Sequence, residues 1–303
     1  MAAATTATTT ATELYNFAPL SPLEPDGSTR TCSLSLLNPL TPIVLAGRYR
    51  GLLLPLVRRK ISARYRGSVL GTTWAVLNPL IMLGIYTFIF SVIFQSKWGV
   101  TSSSRPEFAL FLFSGLILYS VFAECVNEAP SVLLENRLYI RQLVFPTELL
   151  AWVSVLATLF NLLINWVILI LFYSLVVGIP TPTLLYLPVI ALPVVLITLG
   201  SVWIISSVGL YLRDIGHIVG LLTTALLFLS PIFYPAAAVP ERFQAYYALN
   251  PFVHILEMSK GALFYGQHPN WIQLGASLAG SWIFAWLGYI WFMKSKRGFP
   301  DVV

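Results

Sequence analysis

Two carboxylates, Glu124 and Glu128, stand one helical turn apart in an otherwise apolar stretch, and an acid in such a place faces a cavity or a partner rather than lipid. Two readings stay open for them: a polar rim at the mouth of a path, able to hold or move a proton, or a pair of acids in water at the end of the stretch. The other reactive side chains do not converge. His217, His254 and His268 are scattered, and Cys32 and Cys125 give neither a disulfide framework nor a metal-ligand spacing. A phosphate-cradling loop needs Gly-x-x-x-x-Gly-Lys-Ser/Thr, and none of the five lysines stands in that setting. No catalytic group, metal ligand or cofactor is therefore assigned to this chain. Any nucleotide-driven motion has to enter through a separate protein.

The elements that position these residues follow from composition. Of 303 residues, 57% are hydrophobic and only 10% charged, against about 25% charged in an ordinary soluble domain. With a mean hydropathy of +0.79 the apolar residues must lie in long runs, which excludes a water-soluble globule and predicts an all-α integral membrane protein. The charge gaps locate the runs. There are 30 uncharged residues between Arg66 and Lys97, 64 between Glu148 and Arg213, 26 between Asp214 and Glu241, and 33 between Lys260 and Lys294. The longest gap holds two spans, because Gly178, Pro180 and Pro182 interrupt it. Adding a span from Phe108 to Ala129 predicts six, near 69–95, 108–129, 148–176, 184–212, 215–235 and 271–293. The runs are too long and too continuous for a β-barrel.

Six spans put both termini on one side, and placing that side in the cytoplasm leaves 14 of the 18 Lys and Arg inside, with only Lys97, Arg105, Arg242 and Lys260 outside. The net charge of +6 then reads as topology and headgroup affinity, not as nucleic-acid binding, because the cations are split among separate segments. Residues 1–42, rich in Ala, Thr and Pro, are expected to be a disordered cytoplasmic tail with no secretory signal. Residues 43–66 carry a basic amphipathic interface helix, with Leu53, Val57, Ile61 and Tyr65 on one side and Arg58, Arg59, Lys60 and Arg64 around the other. Its Pro55 is tolerable in a first turn. The six-helix domain fills 67–297, and 298–303 form a short cytoplasmic tail. Within 236–270, Pro240–Leu249 and Phe252–Tyr265 read as two helices too short to cross a bilayer, broken at Asn250-Pro251 and ended by Gly266. They are expected to form a periplasmic re-entrant or gate hairpin, with a plain outer loop as the alternative.

The stretch from Arg64 to Leu80, RYRGSVLGTTWAVLNPL, leading into an aromatic span, and the stretch from Ala248 to Glu257, ALNPFVHILE, together resemble the ABC type-2 permeases that export polysaccharides. The Wzm-like O-antigen exporters are the nearest group, and the capsule and teichoic-acid permeases are related to them. The resemblance covers residues 45–295. It implies a multi-pass protein of the bacterial inner membrane, a homodimer bound to two copies of a cytoplasmic ATPase that holds the ATP and Mg. The cargo it implies is an undecaprenyl-diphosphate-linked polysaccharide, passed from cytoplasm to periplasm. The long Ala/Thr/Pro tail departs from the usual short N-terminus. Two rival functions remain: a type-2 permease for a drug or other small amphiphile, which needs an apolar pocket, and a membrane glycan transferase, which needs converging acids and bases.

On this reading, sugar faces stack on aromatic rings, and Trp74, Tyr86, Phe90, Phe94, Phe233, Tyr234, Tyr246 and Tyr247 are the candidates for a substrate channel, each equally able to be a packing or belt residue. Arg58, Arg59, Arg64 and Arg66 are candidates for the lipid-diphosphate entry, since guanidinium groups supply paired donors to phosphate. A short helix over Ser131–Leu143, between Pro130 and Pro146, is expected to couple to the ATPase through Glu135, Asn136, Arg137 and Arg141. Arg213 and Asp214 are expected in a second coupling loop; ordinary solvated connectors are the alternative for both.

Overall fold

The computed structural model describes residues 38–89, 105–138, 145–234 and 239–299. Phe90, Phe94 and Arg141 lie outside them. Ten α-helices run in order through these segments: α1 (Thr41–Arg48), α2 (Arg50–Tyr65), α3 (Trp74–Phe88), α4 (Arg105–Glu135), α5 (Leu149–Val176), α6 (Leu187–Tyr211), α7 (Ile215–Phe228), α8 (Glu241–Ala248), α9 (Pro251–Phe264) and α10 (Trp271–Ser295). There is no strand among the described residues. The protein is an all-α integral membrane protein.

Four stretches, Glu107–Glu135, Leu149–Val176, Pro182–Tyr211 and Trp271–Gly298, are long and apolar enough to cross a membrane. Their positions agree with four of the expected spans to within a few residues at most ends. The other two differ. α7 has only 14 residues, about 21 Å at 1.5 Å per residue, against a hydrocarbon core of about 30 Å. It stops at Phe228, well before the expected end at 235, because Pro231 cannot continue a helix. α3 covers Trp74–Phe88, and the remainder of the first expected span lies outside the described residues.

α6 is the centre of the bundle, flanked by α10 on one side and α4 on the other. Its small residues allow this. A Cβ on Gly288 of α10 would sit 2.6 Å from the Gly200 carbonyl oxygen of α6, so the two helices meet backbone to backbone. A Cβ on Gly209 would likewise sit 2.7 Å from Pro130 of α4. Within the bundle Trp203 is the largest fully buried side chain, ringed edge-on by Trp152 and Tyr289. α5 and α10 turn mostly apolar surface outward: only 33% and 28% of their most hydrophobic windows are buried, which suits helices that face lipid or another subunit.

α4 corrects one expectation. Pro130 is expected to end the second span, yet α4 runs through it to Glu135; Asn136 is a turn, Arg137 and Leu138 are helical again, and the rest of the expected coupling helix lies outside the described residues. Neighbouring helices support such prolines in membrane bundles, and here the close approach of Gly209 backs the Pro130 turn. α2 corrects another. It starts at Arg50, so Pro55 falls in its second turn, where the missing N–H leaves one helical carbonyl without its partner.

Candidate functional site

α2 packs against the bundle. Leu53 and Val57 are buried against Val153 and Ala157 of α5, and the face beside them is closed by ions. Lys60 Nζ lies 2.7 Å from Glu128 Oε1, and Arg64 pairs with Glu124. The residue numbers of each pair have the same sum, as two antiparallel helices in register require, so two cations one turn apart on α2 meet two anions one turn apart on α4. Lys60 also donates to Ser154 Oγ at 2.8 Å, and Tyr65 donates to Asn161 Oδ1 at 3.2 Å, which ties the same helix to α5. Glu124 and Glu128 are the anionic half of a clasp, each about a third exposed. The second oxygen of Glu128 is buried without a hydrogen-bond partner.

This clasp walls a cleft of about 400 Å³. Arg59, Lys60 and Arg64 line it from α2, Glu128, Glu135 and Asn136 from α4 and its end, and Ser154 from α5. Of the four arginines expected to receive a diphosphate, Arg64 is engaged with Glu124 and Arg59 reaches the cleft, whereas Arg58 and Arg66 are exposed. Glu135 accepts from Ser131 Oγ at 2.6 Å, and the Asn136 side chain donates to the Val132 carbonyl at 2.8 Å, so both finish α4 rather than forming a new helix. Arg137 follows them. Arg213 and Asp214 are exposed in the short link between α6 and α7, at the same end of the bundle because Gly209 packs on Pro130. A third ion pair stands at this end: Lys296, just past α10, reaches the buried Glu148 at 2.7 Å, and Trp203 Nε1 donates to the Glu148 carbonyl.

The opposite end gathers the aromatics. Phe233 stacks on Phe228 at 5.6 Å, Tyr234 lies 6.2 Å from Tyr247, and its hydroxyl donates to the Phe228 carbonyl. Tyr246 is 75% exposed on α8. Burial raises the Tyr247 phenol above its ordinary range, and neighbouring Tyr234 adds to the shift. On α3, Tyr86 is half-buried against the main core, while Trp74 donates to Ser68 Oγ at 2.7 Å, at the exposed start of that helix. Of the expected aromatics, Tyr234 and Tyr247 meet across the α7–α8 connection, Phe233 stacks on Phe228, Tyr246 is exposed on α8, and Trp74 and Tyr86 stand on α3.

The two short helices after α7 form as expected, and Asn250 explains their break: its side chain accepts from the Phe252 N–H and Pro251 takes the first position, so the pair starts α9. α9 is deeply set, with Phe252 wedged between Tyr119 and Phe122. Lys260, 5% exposed, donates to the Pro231 carbonyl at 2.5 Å, and its ammonium sits 4.0 Å from the Phe111 ring centroid. Burial lowers it to about 7, opposed by Glu257 one turn back. Glu257 itself is raised by burial, with His254 and Lys260 pulling the other way.

A model of the ABC-2 type transporter family matches residues 52–264, which spans α2 to the end of α9. The chain belongs to the ABC-2 type transporter family. It is 28% identical over 258 residues to the O-antigen export system permease protein RfbA of Myxococcus xanthus, covering 84% of this chain and 96% of that protein. A Klebsiella pneumoniae protein of the same name is 26% identical, over 83% of this chain and 95% of its own length. The polysialic acid transport protein KpsM of Escherichia coli is 25% identical over 73% of this chain and 82% of its own. The family match places the ion-pair clasp and the hairpin inside the ABC-2 region, and leaves residues 1–51 and the whole of α10 outside it.

Sequence reasoning missed the clasp, Ser154 and the Glu148–Lys296 pair. The clasp had a legible signal, two cations and two anions each four apart, but reading Arg64 with the phosphate-binding arginines, Lys60 as part of a polar helix face and the acids by themselves kept them from being matched.

Proposed function

We propose that this ABC-2 transporter subunit forms the transmembrane canal of an exporter that moves undecaprenyl-diphosphate-linked polysaccharide, of the O-antigen class, from cytoplasm to periplasm. The observation that carries the reading is the near end-to-end match to two O-antigen export permeases, on a fold that sets a basic, ion-clasped end against an aromatic one. In this reading α3 and α7 complete six spans in the bacterial inner membrane, both termini face the cytoplasm, and the hairpin α8–α9 is the periplasmic gate. The permease works as a homodimer on two copies of a cytoplasmic ATPase, which supply ATP and Mg binding; this chain binds neither and catalyses nothing.

The mechanism uses this chain's residues in order. The diphosphate head engages exposed Arg58, Arg59 and Arg66 beside the clasp, as charge-assisted donors. The end of α4 at Glu135–Arg137 and the Arg213–Asp214 link take the push from the ATPase and pass it to α4, α6 and α7 as rigid bodies. The polymer slides outward on Trp74, Tyr86, Phe90 and Phe94, then past Phe233, Tyr234, Tyr246 and Tyr247, by many weak stacking contacts. Deleting the gene and extracting lipid-linked glycans separately from the inner leaflet and the cell surface tests the cargo. Accumulation inside with loss outside is expected. Unchanged glycans on both sides would overturn it in favour of a small-amphiphile permease.

A further inference from the structure

The two helices of the hairpin are built differently. α9 buries nine residues, among them Phe252, Ile255, Leu256 and Lys260, whereas α8 buries none. α8 is tied by Tyr247 against Tyr234 and by its Ala248 carbonyl, 3.0 Å from His254 Nε2. α9 is held by Lys260 on Pro231, by Thr183 Oγ1 donating to the Ala262 carbonyl at 2.6 Å, and by His254 with Gln273 of α10. Asn250, at its start, donates to the Leu229 carbonyl and to Ser230 Oγ, both at 3.2 Å.

Lys260 ties α9 to two further elements. Its amine donates to the Pro231 carbonyl, with the Ile232 carbonyl at 3.4 Å, in the turn that follows α7. Its stem passes α4 beside Gly115, where its Cε lies at ordinary van der Waals distance, 3.5 Å, from where a side chain would begin, and Phe111, one turn away, offers its ring face. A lysine buried this way is costly unless each donor is met. Its position is hard to explain as an anchor for α9 alone, since an apolar side chain there would pack against Phe111 and Ile232 without that cost.

We propose that Lys260 is the positioning residue of the hairpin: by donating to Pro231 over the Phe111 ring, it locks α9 to the turn after α7 and to α4 as a fixed wall, so that opening is confined to α8, swinging about Asn250-Pro251. This rests on the transport reading above and adds to it which half of the gate moves.

The test is amide exchange of the full chain in lipid nanodiscs, paired with passive entry of a small neutral sugar into proteoliposomes. In the wild type, α8 amides are expected to exchange at least about tenfold faster than those of α9. Lys260→Met, which keeps the stem and removes the donor, is expected to speed α9 exchange by about tenfold, leave α8 unchanged and raise sugar entry. Equal exchange of α8 and α9 in the wild type overturns the proposal without any variant. So does Lys260→Met with native α9 protection and no added leak. Should that variant fail to fold, Lys260→Gln, which keeps a donor of shorter reach, must show the same ordering at smaller size; native protection there overturns the proposal equally. The exchange pattern does not depend on cargo, so its failure is separate from a failure of the glycan export assay.

Discussion

Exchanging the charges of Lys60 and Glu128 should distinguish a clasp from an incidental contact. At 2.7 Å, with side chains 21% and 31% exposed, the pair is mostly withdrawn from water. Coulomb attraction at that separation is about 6 kcal/mol for an effective dielectric constant of 20, and desolvation of two ions cancels most of it, leaving about 1–2 kcal/mol of coupling. Lys60→Met removes more than this, because it also loses the bond to Ser154 and leaves Glu128, one of whose oxygens is already unmet, without a counter-ion. A loss of about 2–3 kcal/mol is expected, which is a rise of about 30-fold to 150-fold in undocked α2. Lys60→Glu should be worse, since Glu124 stands one turn from Glu128. The reciprocal double variant Lys60→Glu with Glu128→Lys should recover most of the loss. The assay is protease nicking and amide exchange of α2 in nanodiscs, with all four members of the cycle measured at low and high salt. Additive single effects, with no recovery in the double variant, would refute the pairing and return Lys60 to the role of a membrane anchor.

Three other outcomes follow from close packing and buried charge. Gly288→Ala should destabilise the bundle by about 1–3 kcal/mol, because its Cβ would lie 2.6 Å from a backbone oxygen that only a helix shift can relieve; an unchanged melting temperature in detergent would contradict the backbone contact. Lys296→Met should cost about 2–4 kcal/mol and loosen the start of α5, since Glu148 is only 6% exposed and would keep an unpaired carboxylate; Glu148→Gln in the same chain should restore most of it. The Lys260 amine, with its folded value near 7 and below its unfolded value, binds fewer protons in the folded state between those two, so α9 protection should rise as pH goes from 7 toward 10. The titratable groups at its pocket are Glu257 and Tyr265, and Glu257, raised by burial, contributes a slope of the opposite sign, protection falling as pH rises through its own range. Intrinsic-rate-corrected exchange in the wild type against Lys260→Met checks this, and a slope shared by both would assign it to another group.

The long elements were legible because lipid makes hydrophobicity nearly sufficient: a run of apolar residues must be a helix when no water can take its backbone groups. That is why 148–176 and 271–293 fall so close to α5 and α10. What failed had a common cause, that a side chain's partner lies on another helix. Pro130 breaks a helix considered alone, and is carried inside α4 because Gly209 of α6 packs against it. Glu124 and Glu128 were read apart from their counter-ions, Arg64 having been given to phosphate and Lys60 to the polar face of α2, and the antiparallel register of α2 on α4 brings all four together. Lys260 read as an outside cation by position, and its burial depends on the Pro231 carbonyl and the Phe111 ring, partners on other elements that carry no signal without the fold. In a membrane protein the polar residues are few and costly, so each of these had to find a partner. Matching acids to bases by their spacing, before giving either to a ligand, would have recovered the clasp from the sequence.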